Sequence, residues 1–392
     1  MTPLRHPTLT AALTLALTLA LPALQPAHAS PRFPGMNAQA IPASQQQPGP
    51  AVIELLFVLD TTGSMGGMLE GAKSKIWSIV NDVLQRRGNG GALIRVGLVA
   101  YRDRGDAYVT QLTPLSDNLD NVYSQLMRLR PEGGGDTPED VRSAMAEALR
   151  AGGWSAPGAR TSQVMFLVGD APPQEQYRNL PSASASARQA SRRGIIVNAI
   201  QCGDDADTTA AWRNVAQYGG GKYFAIAQDG GVEVVVTPYD QELAQLGQQI
   251  GDTYMPYGRR EERVARQSAQ VAVESQVAAA APPAAKADRA LNKALNERAY
   301  GDSDLVQQAA AGSVVLPSIA EAELPDALRR LAPAQRQGAL DKAVGERRAL
   351  RERIVAVSKQ REQYLAQQRS KKGMGKAGLD AAVSSALARQ LR

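Results

Sequence analysis

The chain has 392 residues, 44% hydrophobic and only 5% aromatic, enough for one large domain plus a smaller one, and too poor in aromatics for base-stacking platforms. Its formal net charge is +6, and both histidines, His6 and His28, lie in an N-terminal segment with the pattern of a removable signal, so the remainder excludes Ser-His-Asp and Cys-His catalysis and histidine-containing zinc sites. The single cysteine, Cys202, makes no internal disulfide, and any metal site must use oxygen ligands, which points to Mg²⁺, Mn²⁺ or Ca²⁺.

Arg5 and His6 precede the apolar run "LTAALTLALTLALPAL", and "AHA" at Ala27–Ala29 is a small-residue cleavage site before Ser30. The run is about 15 residues, short of the ~20 that span a bilayer. Residues 1–29 are therefore expected to be a signal peptide, and the mature chain periplasmic or secreted, with no membrane span. Residues 30–50, rich in Pro, Gln, Ala and Ser, read as a flexible leader.

Residues 51–257 alternate strand-like and helix-like segments. "VIELLFVL", "LIRVGLVAY", the shorter "YVTQL", "SQVMFLVG", "GIIVNAIQC" and "KYFAIA" read as strands. "MLEGAKSKIWSIVNDVLQRR" reads as an amphipathic helix with Leu69, Ile76, Val80 and Leu84 near one face. "NLDNVYSQLMRL", "TPEDVRSAMAEALRAG", "SASARQASRR", "TTAAWRNVAQYG" and "DQELAQLGQQIGDTYM" read as further helices. The expected fold is α/β: a doubly wound, mostly parallel sheet flanked by helices, with its ligand site at the carboxyl ends of the strands. Asp60 and Asp170 stand at two such ends.

From residue 258 the composition shifts to Ala, Gln and Arg. Residues 258–392 carry about 24 Lys and Arg against about 15 Asp and Glu, near +9, while residues 51–257 are near −5. "APPAAKA" breaks the segment near Pro282. Residues 340–367 form a long helical pattern with an interrupted stripe of Leu340, Leu350, Ile354, Val357, Tyr364 and Leu365. This C-terminal region is expected to be mainly helical. Its stripe packs on its own neighbours or serves as an arm for a partner or self-association. The basic excess reads as a solvated helix face, not a nucleic-acid site, and "RSKKGMGKAG" as a flexible tail.

The stretch "LLFVLDTTGSMGG", Leu55–Gly67, is a buried strand followed by a polar, glycine-rich loop, and three chemistries fit it. An aspartic-protease dyad needs a second such loop on an all-β scaffold, and this chain offers neither. A phosphoryl-transferring hydrolase with Asp60 as nucleophile has a counterpart in "LVGDAPP". However, Ala171, Pro172 and Pro173 follow Asp170 where a further acid is needed, and Lys73, Lys75 and Lys222 sit in no recognisable motif. A hard-cation site uses more of the residues. Asp60, Thr62 and Ser64 alternate along one turning loop, "EGGGDTPED" supplies Thr137, and "VGD" supplies Asp170. With so few charged direct ligands the ion stays electrophilic and can take a carboxylate from another molecule.

These three segments resemble the metal-ion-dependent adhesion site of von Willebrand factor type A domains. The family pattern D-x-S/T-x-S falls on Asp60, Thr62 and Ser64, its separate threonine on Thr137 and its later aspartate on Asp170. "AYRDRGD", "GGGDTPEDV" and "LVGDAPP" are similar to exported bacterial members and to the alpha-kinase-associated branch. The resemblance covers roughly residues 51–257, leaving 258–392 as the helical region. It implies that Thr62 and Ser64 bind Mg²⁺ (or Mn²⁺) directly, Thr137 directly or through water, and the two aspartates by either route. No kinase-like glycine-rich loop follows, so kinase activity is not implied. The expected function is a non-enzymatic, exported module that captures an acidic residue of a partner protein. The alternatives are the phosphohydrolase and a structural envelope protein in which the metal braces the loops.

Other residues invite functional readings and have simpler ones. Arg104-Gly105-Asp106 is an RGD triplet in a turn between two strands. Asp103 reads as a turn carboxylate, and Asp136, Glu139 and Asp140 as acids stabilising a helix N-terminus that has Pro138 in its first turn. Gly203–Asp207 reads as a capped loop before the next helix. Cys202, Trp77, Trp154 and Trp212 read as packing residues.

Overall fold

The computed structural model describes residues 51–392 except 88–91, 136, 232–234, 373–377 and 392. The expected signal and leader, the centre of the expected tail, and Asp136 lie outside the described residues.

Six strands form one sheet in the order β3-β2-β1-β4-β5-β6. They are β1 (Val52–Asp60), β2 (Leu93–Tyr101), β3 (Thr110–Ser116), β4 (Thr161–Gly169), β5 (Ile195–Cys202) and β6 (Gly220–Ile226). All neighbours are parallel except the edge pair β2–β3. The apolar runs Leu55–Leu59 of β1 and Val164–Val168 of β4 follow from burial on both faces. Ile53, Leu55, Phe57 and Leu59 point into one core, and Leu56 and Val58 into the other. The first core is covered by α1 (Gly66–Arg87) and α2 (Leu119–Arg128), and the second by α3 (Val141–Ala151), α4 (Ala183–Arg192) and α5 (Ala206–Tyr218). α6 (Asp240–Asp252) ends the α/β part. Winding reverses between β1 and β4, so the loops leaving these two strands diverge and open a crevice at their carboxyl ends.

The rest of the chain is helical: α7 (Arg260–Ala280), α8 (Pro283–Leu295), α9 (Leu305–Ala310), α10 (Asp326–Arg329), α11 (Pro333–Lys372) and α12 (Leu379–Gln390). α1 is buried nearly all round, not on one stripe: Met68, Lys73, Trp77, Ile79 and Val83 join Leu69, Ile76 and Val80 inside. The reason is that α8 and α12 pack on its outer side. α12 contributes Leu379, Val383 and Leu387 to the first sheet core. Leu340, Ile354 and Val357 of α11 are buried against the chain's own helices, while Tyr364 meets Tyr239 edge-on. The basic excess of this region is partly internal. Arg289 pairs with Asp120 and Glu274, Arg361 with Asp240 and Asp288, and Arg347 with Asp304, all with the arginine buried. Among the described residues no helix is long and apolar enough to cross a membrane.

Candidate metal centre

Three loops meet at the β1/β4 crevice. The first follows β1 and carries Asp60, Thr62 and Ser64. Asp60 is fully buried at the strand end, Thr62 is 2% exposed, and Ser64 is exposed, so the three form a line from the sheet to the surface. Asp60 Oδ1 accepts from the Thr62 backbone N–H at 2.9 Å and from Thr62 Oγ1 at 2.7 Å; Thr62 Oγ1 lies 3.4 Å from Ser64 Oγ. The other oxygen, Oδ2, faces the Tyr101 hydroxyl short of hydrogen-bond geometry, and among the described residues neither atom has another partner. Burial is the main reason that the Asp60 pKa is raised to about 7; the Thr62 bonds oppose the shift and the Asp170 charge adds to it.

The second loop runs from Arg130 to Asp140. Gly63 N–H donates to Gly133 O at 3.2 Å and Glu132 N–H to Thr61 O at 3.1 Å, which fixes it beside the first loop. Gly134 has φ +74°, and a Cβ there would stand 2.8 Å from Thr62 Cβ and 3.1 Å from Glu139 Oε1, so the close approach of the two loops requires glycine. Thr137 is exposed on this loop and makes no hydrogen bond with the other four predicted residues. The third loop, after β4, carries the half-buried Asp170. It is tied to the second where Glu139 N–H donates to Pro172 O at 3.1 Å and Gln174 N–H to Glu139 O at 2.8 Å.

Two expectations around Thr137 are corrected. α3 begins at Val141, so Pro138 precedes it, and Asp140 is the N-cap, accepting from Ser143 N–H at 2.9 Å. Glu139 does not serve the helix. It is 3% exposed and its Oε2 has no hydrogen-bond partner among the described residues. Burial first, then the charges of Asp60, Asp103, Asp106 and Asp170, raise its pKa to about 8. Sequence reasoning missed it as a site residue; the signal was that Asp140, three positions before Ser143, is the better cap and pushes Glu139 out of the helix.

The RGD triplet is structural. Arg104 Nε donates to Asp140 Oδ2 at 3.0 Å and its guanidinium lies 3.7 Å from the Tyr177 ring centroid. Asp106 accepts from Gly134 N–H at 3.2 Å. Asp103 accepts from the Tyr177 hydroxyl at 2.9 Å. Asp205 caps α5 through Thr208, Trp77 and Trp212 are buried, and Cys202 is 1% exposed with its thiol pKa pushed up by burial. Lys73 is held by Glu70 and the Leu129 carbonyl, and Lys75 by Asp380, so neither serves Asp60.

The donor set fits a small hard cation. Two carboxylates and two or three hydroxyls stand at one crevice, and the fully buried Asp60 Oδ2 has only the Tyr101 hydroxyl before it, short of hydrogen-bond geometry. Among the described residues no three His, Cys, Asp or Glu side chains converge on one point.

Residues 54–237 match the family model described as von Willebrand factor A domain. The chain is similar to the putative ariadne-like RING finger protein R811 of Acanthamoeba polyphaga mimivirus, 27% identical over 128 residues, 32% of this chain and 12% of that protein. It is also similar to human von Willebrand factor A domain-containing protein 7, 38% identical over 95 residues, 24% of this chain and 10% of that protein. The chain thus spans about a tenth of the length of these relatives. Among solved structures, the SpRpn10 VWA domain aligns with TM-score 0.34 and 13% identity, covering 45% of this chain and 89% of that one. Proximal thread matrix protein 1 from the mussel byssus, with a zinc-occupied MIDAS motif, aligns with TM-score 0.33 and 14% identity, covering 46% and 43%.

Proposed function

We propose that the protein is an exported, cation-dependent protein-binding module. Asp60, Thr62, Ser64, Thr137 and Asp170 hold Mg²⁺ or Mn²⁺, and the ion supplies an electrophilic position for an acidic side chain of a partner protein. The observation that carries this reading is the buried Asp60, its Oδ2 without a well-formed hydrogen bond among the described residues, at the base of two hydroxyls that reach the surface at Ser64. Asp60 and Asp170 supply charge from below, Thr62 and Ser64 orient neutral oxygens, and exposed Thr137 stands on the second loop at the rim. So small a negative charge leaves room for a partner carboxylate. The von Willebrand factor A match supports a protein-interaction role. Export is supported by the N-terminal sequence pattern alone.

The test is capture from a cell-envelope extract on the immobilised chain, in Mg²⁺, in EDTA, and with Asp60→Ala. Partners retained only by the wild type in Mg²⁺ are the expected result. Retention indifferent to metal and to the substitution would remove the site from the interaction.

A further inference from the structure

Gln228 lies just beyond β6, and no sequence motif singles it out. Its side chain is exposed, yet it joins two of the three loops: Nε2 donates to Asp170 Oδ2 and, at 3.4 Å, to the Ser64 carbonyl, while Oε1 packs over the Gly203 backbone. It therefore fixes the Asp170 carboxylate with one oxygen turned to an amide and spaces Asp170 from Ser64.

The turn that carries Gln228 is itself held from two sides. Gly230 N–H donates to Ala227 O at 2.8 Å, and Gly231 N–H to Asp229 Oδ1 at 2.9 Å. Asp229 lies so close to the start of α1 that a Cβ on Gly67 would stand 2.9 Å from its Cα. On the far side, Leu379 N–H, at the first residue of α12, donates to Gly230 O at 3.0 Å, and a Cβ on Gly378 would stand 2.4 Å from Gly231 O. α12 is anchored independently of this turn by its buried Val383 and Leu387, by Lys75–Asp380 at 3.3 Å, and by Ser384 with Asp82 and Arg86 at 2.7 and 2.8 Å. A continuous chain of contacts thus runs from the last helix through Gly230 and Gln228 to Asp170 and Ser64.

We propose that Gln228 is a positioning residue of the cation site and that α12, through its bond to Gly230, sets where Gln228 stands. This rests on the cation reading given above. Groups that orient metal-binding carboxylates typically change affinity about 10-fold to 100-fold when removed. An element that both fixes and can release such a group couples its own docking to the site.

The test titrates the full chain with Mn²⁺ and reads free Mn²⁺ by electron paramagnetic resonance. Gln228→Ala is expected to bind about tenfold more weakly with an unchanged metal-free melting temperature, because its side chain is exposed. Leu379→Pro removes the donor to Gly230 while a helix tolerates proline at its first position, and extended Gly378 (φ −88°, ψ −175°) accommodates it. It is expected to weaken Mn²⁺ to a similar degree and to speed amide exchange at 227–231 in EDTA. Leu387→Ala, which loosens the far end of α12, serves if Leu379→Pro does not fold. The Gln228→Ala, Leu379→Pro double variant is expected to bind no more weakly than the weaker single variant. Wild-type affinity in Gln228→Ala overturns the positioning role; additive losses, or unchanged exchange at 227–231, overturn the link to α12. No Mn²⁺ binding by the wild type overturns the cation reading itself, and the exchange measurement still judges the link between α12 and the turn.

Discussion

Arg289 of α8 closes on Asp120 of α2, 169 residues earlier, with Nε 2.7 Å from Oδ1, and its other nitrogens hold Glu274 of α7 at 2.8 Å. The guanidinium is almost wholly inside, 5% exposed, so the pair is a buried joint between the α/β part and the helical region. Removing one member of a buried pair costs about 3–5 kcal/mol, because the remaining charges lose their partner. Asp120 and Glu274 keep some contact with water, which places Arg289→Ala near the lower end, about 3 kcal/mol. Glu147→Ala breaks a pair whose arginine is 73% exposed and should cost at most about 0.5 kcal/mol. Urea unfolding of the two variants measures the contrast, and equal losses would mean that the joint is not structural.

The same joint predicts a pH dependence. Burial alone would raise the Glu274 pKa, but the hydrogen bonds and charges of Arg289 and Lys293 outweigh it and lower it from 4.5 to about 2. A lowered folded-state pKa gives stability that is complete above the unfolded value and disappears as pH falls through the folded value. The contribution is therefore full above about pH 4.5 and lost toward pH 2. With about a quarter of the side chain in water, it amounts to roughly 2 kcal/mol. Wild type should lose stability more steeply than Glu274→Gln between pH 5 and pH 2, about that much in total. Parallel curves would remove Glu274 from the linkage.

Gly134→Ala tests the junction of the first two loops. The substitution forces a side chain into the left-handed region and against Thr62, and the backbone penalty alone is about 1–2 kcal/mol. The expected outcome is a loss of about 2 kcal/mol in EDTA and a weaker response to Mg²⁺, read as a smaller rise in melting temperature. A variant as stable and as responsive as wild type would mean that Thr62 is not held by this contact.

At pH 8, above its pKa of about 7, Asp60 is a buried carboxylate held by the Thr62 hydrogen bonds. Asp60→Asn removes the charge and keeps the shape, so in EDTA at pH 8 it should melt no lower than wild type. In Mg²⁺ at about 100 times the dissociation constant, wild type should gain about 2.7 kcal/mol, and Asp60→Asn should gain nothing. An equal gain in both proteins would place the ion elsewhere.

Much of the α/β part is legible in the sequence because its signals are local. β1 and β4 carry the apolar runs Leu55–Leu59 and Val164–Val168 and β5 the mostly apolar "IIVNAI", and Asp140, Ser182 and Asp205 cap the helices that follow them through their own side chains. The helical region is legible only as helices. Its placement depends on side chains far apart in the chain, such as Asn81 Nδ2 donating to Asp288 O at 2.7 Å across 207 residues. α12 escapes notice because a short Ala-rich segment after "KKGMGKAG" has little periodic signal, and its burial comes from α1 and the sheet. At the candidate site, the motif marks Asp60, Thr62, Ser64, Thr137 and Asp170, whereas Glu139 and Gln228 stand out only through burial and cross-loop contact.

The most direct test of the central claim is a calorimetric titration of the metal-free full chain with Mn²⁺ and with Mg²⁺, for wild type, Asp60→Ala and Asp170→Ala. One saturable site in the wild type, lost in Asp60→Ala and strongly weakened in Asp170→Ala with both variants still folded, is the predicted result. Binding unchanged by either substitution, or no binding by the folded wild type, would contradict it.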